Sequence, residues 1–226
     1  MLKPLAGYKR QEYGKFHSRI YWRRERQSLP RAEILFLDRD GVLNVDSGYV
    51  GSIPQVELLP GVIDAIQFCR WSGIHVALVT NQSGIGRNYY SWADFELVCH
   101  HIEQSILDDA PLFEAIAACA QVPNPDMVEG GEWRKPGPGM IQAVCDRLKL
   151  RPNRCWLVGD RLSDVEAAAR AGLAGAVQIA DPRSQQASSA STGFSHLYAD
   201  RAADGIALAA SSILRQRDLR DCNVYE

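Results

Sequence analysis

The 226-residue chain is long enough for one domain with a full core. Its 46% hydrophobic and 23% charged residues are those of an ordinary globular protein, and a net charge of −2 argues against general attraction to nucleic acid or anionic membrane. No apolar run approaches the about 18–20 residues that span a bilayer, and the N-terminus lacks the continuous apolar stretch of a secretory signal.

The charge is unevenly spread. Residues 1–30 hold eight Lys/Arg against Glu12 and Glu25, so this leader carries +6 and the remainder −8. The leader reads as a basic extension, solvated or packed on the domain, ahead of a domain over 31–226. Six cysteines (Cys69, Cys99, Cys119, Cys145, Cys155, Cys222) are dispersed without C-x-x-C spacing. They point to a reducing, cytoplasmic setting with no disulfide framework.

In chain order, EILFLD (33–38) is a short apolar run expected as a buried strand. PGVIDAIQFCRWSG follows as a helix with Pro60 near its start and Gly73 as its stop. IHVALVTN (74–81) is a second strand, and Ser91 the expected N-cap of a long helix. FEAIAAC (113–119) is a third strand, 137–149 a helix, and CWLVGD (155–160) a fourth strand. SDVEAAARAG (163–172) is a helix with Ser163 as cap, and AGAVQI a fifth strand. A Ser-rich stretch, DPRSQQASSASTG, then leads to a last helix over about 202–216. Apolar strands alternating with helices predict a Rossmann-like α/β sandwich of three layers around a mainly parallel sheet. No insertion is long enough for a large cap domain.

In such sheets ligands sit at the carboxyl ends of the strands. The first strand ends in Asp38-Arg39-Asp40-Gly41, the second in Thr80-Asn81-Gln82-Ser83-Gly84, and the fourth in Gly159-Asp160 with Asp164 beyond. Lys135 precedes the helix that leads into the fourth strand. Three carboxylates, a hydroxyl and a lysine converging on one crevice suit phosphoryl transfer to a carboxylate. Mg²⁺ takes hard oxygen ligands, which Asp38 and Asp160 can supply. Asp38 can attack phosphorus while Asp40 handles a proton. Gly41 permits a tight exit, and Thr80 and Lys135 can hold and neutralise phosphoryl oxygens.

These stretches resemble the four motifs of the haloacid dehalogenase-like phosphatases: FLDRDGVL, LVTNQSG, Lys135 and VGDRLSD. FLDRDGVLNVDSGYV, LPGVIDAI, VTNQSGIGR and RKPGPGM resemble more narrowly the D-glycero-D-manno-heptose-1,7-bisphosphate 7-phosphatases and related histidinol-phosphatase domains, over about 33–180. The resemblance implies Asp38 as nucleophile and Asp40 as general acid/base. It implies Mg²⁺ held by Asp38, Asp160 and the backbone carbonyl of Asp40, with Asp164 ordering the fourth motif. Thr80 and Lys135 would stabilise the phosphoryl group. Asp46, Ser47, Gly48, Tyr49, Asn81, Gln82, Ser83, Arg134 and Arg161 would line the substrate, Arg134 helping to select it. Relatives of this kind often carry a zinc clasp, whose four positions here read Cys119, Gln121, Gly131 and Trp133. One thiolate cannot build a four-coordinate zinc site, so no zinc is expected.

The leading expectation is a Mg²⁺-dependent phosphomonoesterase acting on a small phosphorylated metabolite, foremost the heptose 1,7-bisphosphate, at its 7-phosphate. The alternatives are a histidinol-phosphate phosphatase, a DNA 3′-phosphatase, or a catalytically idle binding relative. A monomer without membrane contact is expected, and no basic stripe supports nucleic acid as a partner.

Overall fold

A strand in the middle of a sheet covered on both faces must be apolar at every position, and that is how the strong apolar runs fold. The computed structural model describes residues 5–14, 17–24, 29, 32–107, 111–123, 133–179 and 193–222. Its strands are β1 (Tyr8–Tyr13), β2 (Ser18–Arg23), β3 (Ile34–Leu37), β4 (His75–Asn81), β5 (Ala115–Cys119), β6 (Trp156–Gly159), β7 (Gly175–Ile179) and β8 (Ser195–Ala199). They form one sheet in the order β1-β2-β5-β4-β3-β6-β7-β8. The six strands from β5 to β8 in that order are parallel, and β1 and β2 add an antiparallel hairpin beside β5.

Helices α1 (Val62–Trp71), α3 (Trp92–Ile106) and α6 (Ala202–Cys222) cover one face, and α4 (Gly139–Leu148) and α5 (Leu162–Arg170) the other. The four-residue α2 (Ser83–Gly86) follows β4 directly. Successive strand residues serve opposite layers: Leu35, Leu37, Val76 and Leu78 pack with Ile66, Phe95 and Ile206, while Ile34, Phe36, Ala77 and Val79 pack with Ile141, Val144 and Ala168. This is the expected three-layer α/β sandwich. The described residues contain no helix long and apolar enough to cross a membrane.

Several boundaries differ from the sequence expectation. Ser91 caps α3 as expected, its Oγ accepting from Asp94 N at 3.2 Å while the Asp94 carboxylate accepts from Ser91 N at 2.8 Å. Ser163, expected as a cap, lies inside α5. The N-cap is Arg161, whose N–H donates to Asp164 Oδ2 at 3.0 Å. Helix α6 runs six residues past its expected end to Cys222. Its extra turns are anchored by Arg217 and Arg220, which reach Glu33 at 2.9 and 2.8 Å. Most of the Ser-rich stretch lies outside the described residues, and the strand β8 just after it was not foreseen.

The larger difference is in the leader. Its described residues include a hairpin rather than only a charged arm: β1 and β2 are strands of the main sheet. On β2, Ile20 and Trp22 enter one core and Tyr21 the other. On the outer strand, Lys9 to Glu12 stay exposed, which suits an edge that must not recruit further strands. The hairpin is also tied from within. The Tyr8 hydroxyl donates to Glu103 and accepts from the Phe113 N–H at 3.1 Å.

Candidate active site

The order of the parallel strands reverses around β3, which has β4 on one side and β6 on the other. The carboxyl ends of these three strands open into a cleft of about 550 Å³, the place where open α/β sheets bind their ligands. Asp38 closes β3, its backbone N–H bound to Val158 O at 2.9 Å. Its Oδ1 accepts from Arg39 N at 2.7 Å, and its Oδ2 lies 2.8 Å from Lys135 Nζ. Gly41 turns the chain with φ +79°, and a Cβ there would stand 2.5 Å from Asp160 Oδ2. Only glycine allows the first and fourth motifs to approach so closely.

Lys135 is almost fully buried, 3% exposed, and its ammonium is shared among Asp38, Asp164 Oδ1 at 2.5 Å and the Val79 carbonyl at 2.9 Å. Burial alone would depress its pKa, but Asp164 and Asp38 outweigh burial and raise it, so the lysine stays charged. Asn81 positions that lysine by a reciprocal pair: its amide donates to Lys135 O and its carbonyl accepts from Lys135 N, both at 3.1 Å. One ammonium does not satisfy three acids. Burial raises Asp38 despite Lys135. Burial, then Asp38 and Asp164, push Asp160 up to about 7. Carboxylate oxygens of Asp38, Asp160 and Asp164 lie within 4.8 Å of one another, and Asp160 Oδ1 is buried without a hydrogen-bond partner. Crowded hard oxygens with an unused buried acceptor fit a divalent cation such as Mg²⁺. Asp164 also accepts from Arg161 N and bonds Lys135, in keeping with an ordering role.

Asp40 is gripped from three sides. The fully buried Arg39 donates to both its oxygens, Nε at 3.1 Å and Nη2 at 2.9 Å. Asn44 Nδ2 donates to Oδ1 at 2.9 Å, and Gln82 Nε2 to Oδ2 at 3.2 Å. Gln82 also donates to Thr80 Oγ1 at 2.8 Å and accepts from the Tyr90 hydroxyl at 2.5 Å. Neither Arg39, Asn44 nor Tyr90 was singled out from sequence. Arg39, a long cation set between two acids of a strand end, is the one that carried a legible signal.

At the rim, Asp46 accepts from Arg161 Nη2 at 2.8 Å, a largely exposed clasp between the loops after β3 and β6. Gly48, Tyr49, Ser83 and Arg134 line the cleft. Ser47 is exposed on the same turn and lies outside the lining. Arg134 donates from Nη1 to Gln121 O at 3.1 Å, and burial lowers its pKa. Gln121, Val122, Pro123 and Ser163 complete the wall without having been foreseen. Of the four clasp positions, Cys119 is buried in β5 with its thiol pushed up by burial, and Trp133 is packed in the core. Gln121 is half-buried in the cleft wall, and Gly131 lies outside the described residues.

Residues 132–180 match the family described as "HAD-hyrolase-like". The chain is 38% identical over 148 residues to the D-glycero-beta-D-manno-heptose-1,7-bisphosphate 7-phosphatase of Mesorhizobium japonicum, covering 64% of this chain and 68% of that one. With the same-named enzyme of Escherichia coli strain K12 it shares 37% over 142 residues, 62% of this chain and 74% of that one. Among solved structures, a HAD-like phosphatase of Mesorhizobium loti superposes with a TM-score of 0.72 at 30% identity, covering 89% of this chain and 96% of that one. The D,D-heptose 1,7-bisphosphate phosphatase of B. bronchiseptica, complexed with magnesium and phosphate, superposes at 0.67 with 30% identity, covering 81% and 99%.

Proposed function

We propose, given that this chain belongs to the haloacid dehalogenase-like phosphatases and is a phosphatase, that it is a Mg²⁺-dependent phosphomonoesterase removing the 7-phosphate of D-glycero-D-manno-heptose 1,7-bisphosphate. The observation that carries the reading is the buried Lys135 ammonium between Asp38 and Asp164, with Asp40 held two residues from Asp38. This arrangement presents a carboxylate to phosphorus, a fixed cation beside it and a separate carboxyl for the proton. The names of the relatives supply the substrate.

Asp38 attacks phosphorus, its carboxylate oxygen forming the new P–O bond as the bond to the sugar oxygen breaks. Asp40 gives that leaving oxygen a proton. Asp40 then takes a proton from the water that attacks the aspartyl-phosphate, which frees phosphate and restores Asp38. Of the four hydrogen bonds at Asp40, the one from Gln82 is the longest, at 3.2 Å, and is the one that gives way to the leaving oxygen or the water. Thr80 and Lys135 face the transferred phosphoryl oxygens, and Lys135 arrives already charged and oriented by its two acids and Asn81. Mg²⁺, held by Asp38, Asp160 and the carbonyl of Asp40, would supply charge neutralisation on the phosphoryl oxygens. Arg134, Arg161, Asp46 and Tyr49 meet the rest of the sugar bisphosphate. The catalytic residues lie within 33–180, the leader adding the strands β1 and β2 to the same sheet, and zinc has no part, because one thiolate at Cys119 with Gln121, Gly131 and Trp133 at the other clasp positions does not make a four-coordinate site.

The test uses purified protein with Mg²⁺, an aryl phosphate, the heptose bisphosphate, histidinol phosphate and 3′-phosphorylated DNA. The native chain releases phosphate from the first two and prefers the heptose. Asp38→Asn still binds substrate but does not turn it over. Retained turnover removes Asp38 as nucleophile, and preference for another substrate replaces the heptose.

A further inference from the structure

The wall of the cleft that bears Arg134 rests on the N-terminal hairpin at both of its described ends. At the incoming end, β2 pairs antiparallel with β5, Ser18 standing opposite Cys119. Just past the strand, Ala120 N donates to His17 O at 2.8 Å. At the outgoing end, the ring of Trp133 lies 4.2 Å from that of Tyr13 on β1. Trp133 is 7% exposed and shares an apolar cluster with Ile20 and Trp22 of β2. Arg134 follows Trp133 directly, and its guanidinium closes the circuit by donating to Gln121 O at 3.1 Å.

The other side of the same backbone is fixed as well. A Cβ on Gly86 would come within 2.1 Å of Ala120 O, so α2 packs directly against the exit of β5. Ala120 is thus held between His17 of the hairpin and the helix that carries Ser83. The Tyr13–Trp133 contact then fixes Arg134 from its N-terminal side, as Asn81 fixes the backbone from the Lys135 side.

We infer that the hairpin strands β1 and β2 are the positioning element for Arg134, with Tyr13 and Trp133 as the positioning residues through which they tune recognition of the substrate's second anionic group. This rests on the reading of Arg134 as a substrate contact. Arg134 is partly desolvated, and burial lowers its pKa. Such a cation reaches an anion strongly only if its stem is held in place, because ordering it on binding costs side-chain entropy. A ring-to-ring contact one residue before the arginine provides that order in the free protein.

The experiment compares the native full-length chain with Tyr13→Ala and Tyr13→Phe, each also in an Arg134→Ala background. Steady-state kinetics use the heptose bisphosphate and p-nitrophenyl phosphate, which lacks a second anionic group. In Tyr13→Ala the KM for the bisphosphate rises about tenfold, the scale of one charge-assisted hydrogen bond, with kcat unchanged. Both constants for the aryl phosphate stay at native values, Tyr13→Phe behaves as native, and Tyr13→Ala adds nothing once Arg134 is gone. Equal changes for the two substrates, or none for either, overturn the inference. Amide hydrogen exchange supplies an arm independent of the substrate: the amides of Ala120 and Lys135 exchange faster in Tyr13→Ala than in the native chain or Tyr13→Phe. Unchanged exchange there overturns the inference too. If the native chain does not hydrolyse the bisphosphate, the substrate reading fails by itself, and the exchange arm decides the role of the hairpin.

Discussion

Replacing Lys135 by Met keeps most of the buried stem and removes only the ammonium that Asp38 and Asp164 share at 2.8 and 2.5 Å. Two unit charges about 3 Å apart attract by about 5 kcal/mol at an effective permittivity of about 20. The carboxylates left behind need not bear that whole loss, because one of them can take up a proton. Protonating a carboxyl of ordinary pKa near 4 at pH 7.5 costs about 5 kcal/mol, at about 1.36 kcal/mol per unit. Both routes agree with the about 3–5 kcal/mol typical of breaking one partner out of a buried pair. Metal-free Lys135→Met should therefore lose about 4 kcal/mol at pH 7.5. Burial already raises Asp38 in the native protein, and the variant raises it further. A folded-state carboxyl pKa above the unfolded value means that the folded state alone holds the proton between the two values. The stability of the variant then falls as pH rises through that window, and its deficit should shrink by at most about 2.7 kcal/mol at pH 5.5, the limit for one whole extra proton over two units. Urea unfolding in EDTA at the two pH values measures this, and saturating Mg²⁺ should restore much of the loss at pH 7.5. A deficit under about 1 kcal/mol that is equal at both pH values would falsify the picture of a lysine balancing crowded acids.

Gly41→Ala meets both a φ of +79° and Asp160 Oδ2 at 2.5 Å from the new Cβ. It should cost about 1–2 kcal/mol of stability and weaken Mg²⁺ binding more than tenfold by calorimetry, whereas unchanged affinity would disconnect this glycine from the cation site. Glu103 is fully buried, and burial raises its pKa although Tyr8, Leu112 and Phe113 donate to it. With the folded value above the unfolded one, its contribution is greatest when protonated and is lost as pH rises. Glu103→Gln should therefore gain on the native chain between pH 5 and pH 8 in urea unfolding, by about 1.4 kcal/mol per unit of the raised pKa. A constant difference across that range would assign no proton to Glu103.

The parts of the fold and site that were legible share one physical cause. β3, β4 and β6 are covered on both faces, so they must be short apolar runs, and each run ends where the chain meets the cleft. Asp38, Thr80 and Asp160 could be placed from that alone, and Lys135 by its position ahead of α4. What escaped depends on neighbours distant in sequence. The grip on Asp40 joins Arg39 and Asn44 to Gln82, 42 residues away, and no local pattern announces it. β1 is an exposed, charged edge, so it shows neither the apolar run nor the strict alternation that marks a strand. Ser163 looked like a cap, but Asp164 receives the Arg161 N–H and starts α5 earlier. Ser47 shares its turn with Asp46, Gly48 and Tyr49 yet is not among the residues lining the cleft, which spacing alone does not distinguish.

The charges divide the cleft by depth. At its floor three acids crowd around one ammonium that pairs with only two of them, Asp38 and Asp164, and Asp160, raised to about 7 by burial and its neighbours, records the excess negative charge. Asp40 adds little to that excess because Arg39 is paired with it through two hydrogen bonds. At the rim the balance reverses: Arg134 has Arg161 and Arg87 near enough for burial and like charge together to lower its pKa. The floor therefore attracts a cation and repels a phosphate, while the rim attracts the phosphate. A substrate anion descends past the arginines only once the floor has been neutralised, so the cation should bind first and the phosphorylated substrate second. Inorganic phosphate should accordingly bind weakly to the metal-free chain and much more tightly with Mg²⁺ present. Titration calorimetry in both conditions would expose equal affinities, and equal affinities would mean that the Lys135 ammonium alone balances the floor.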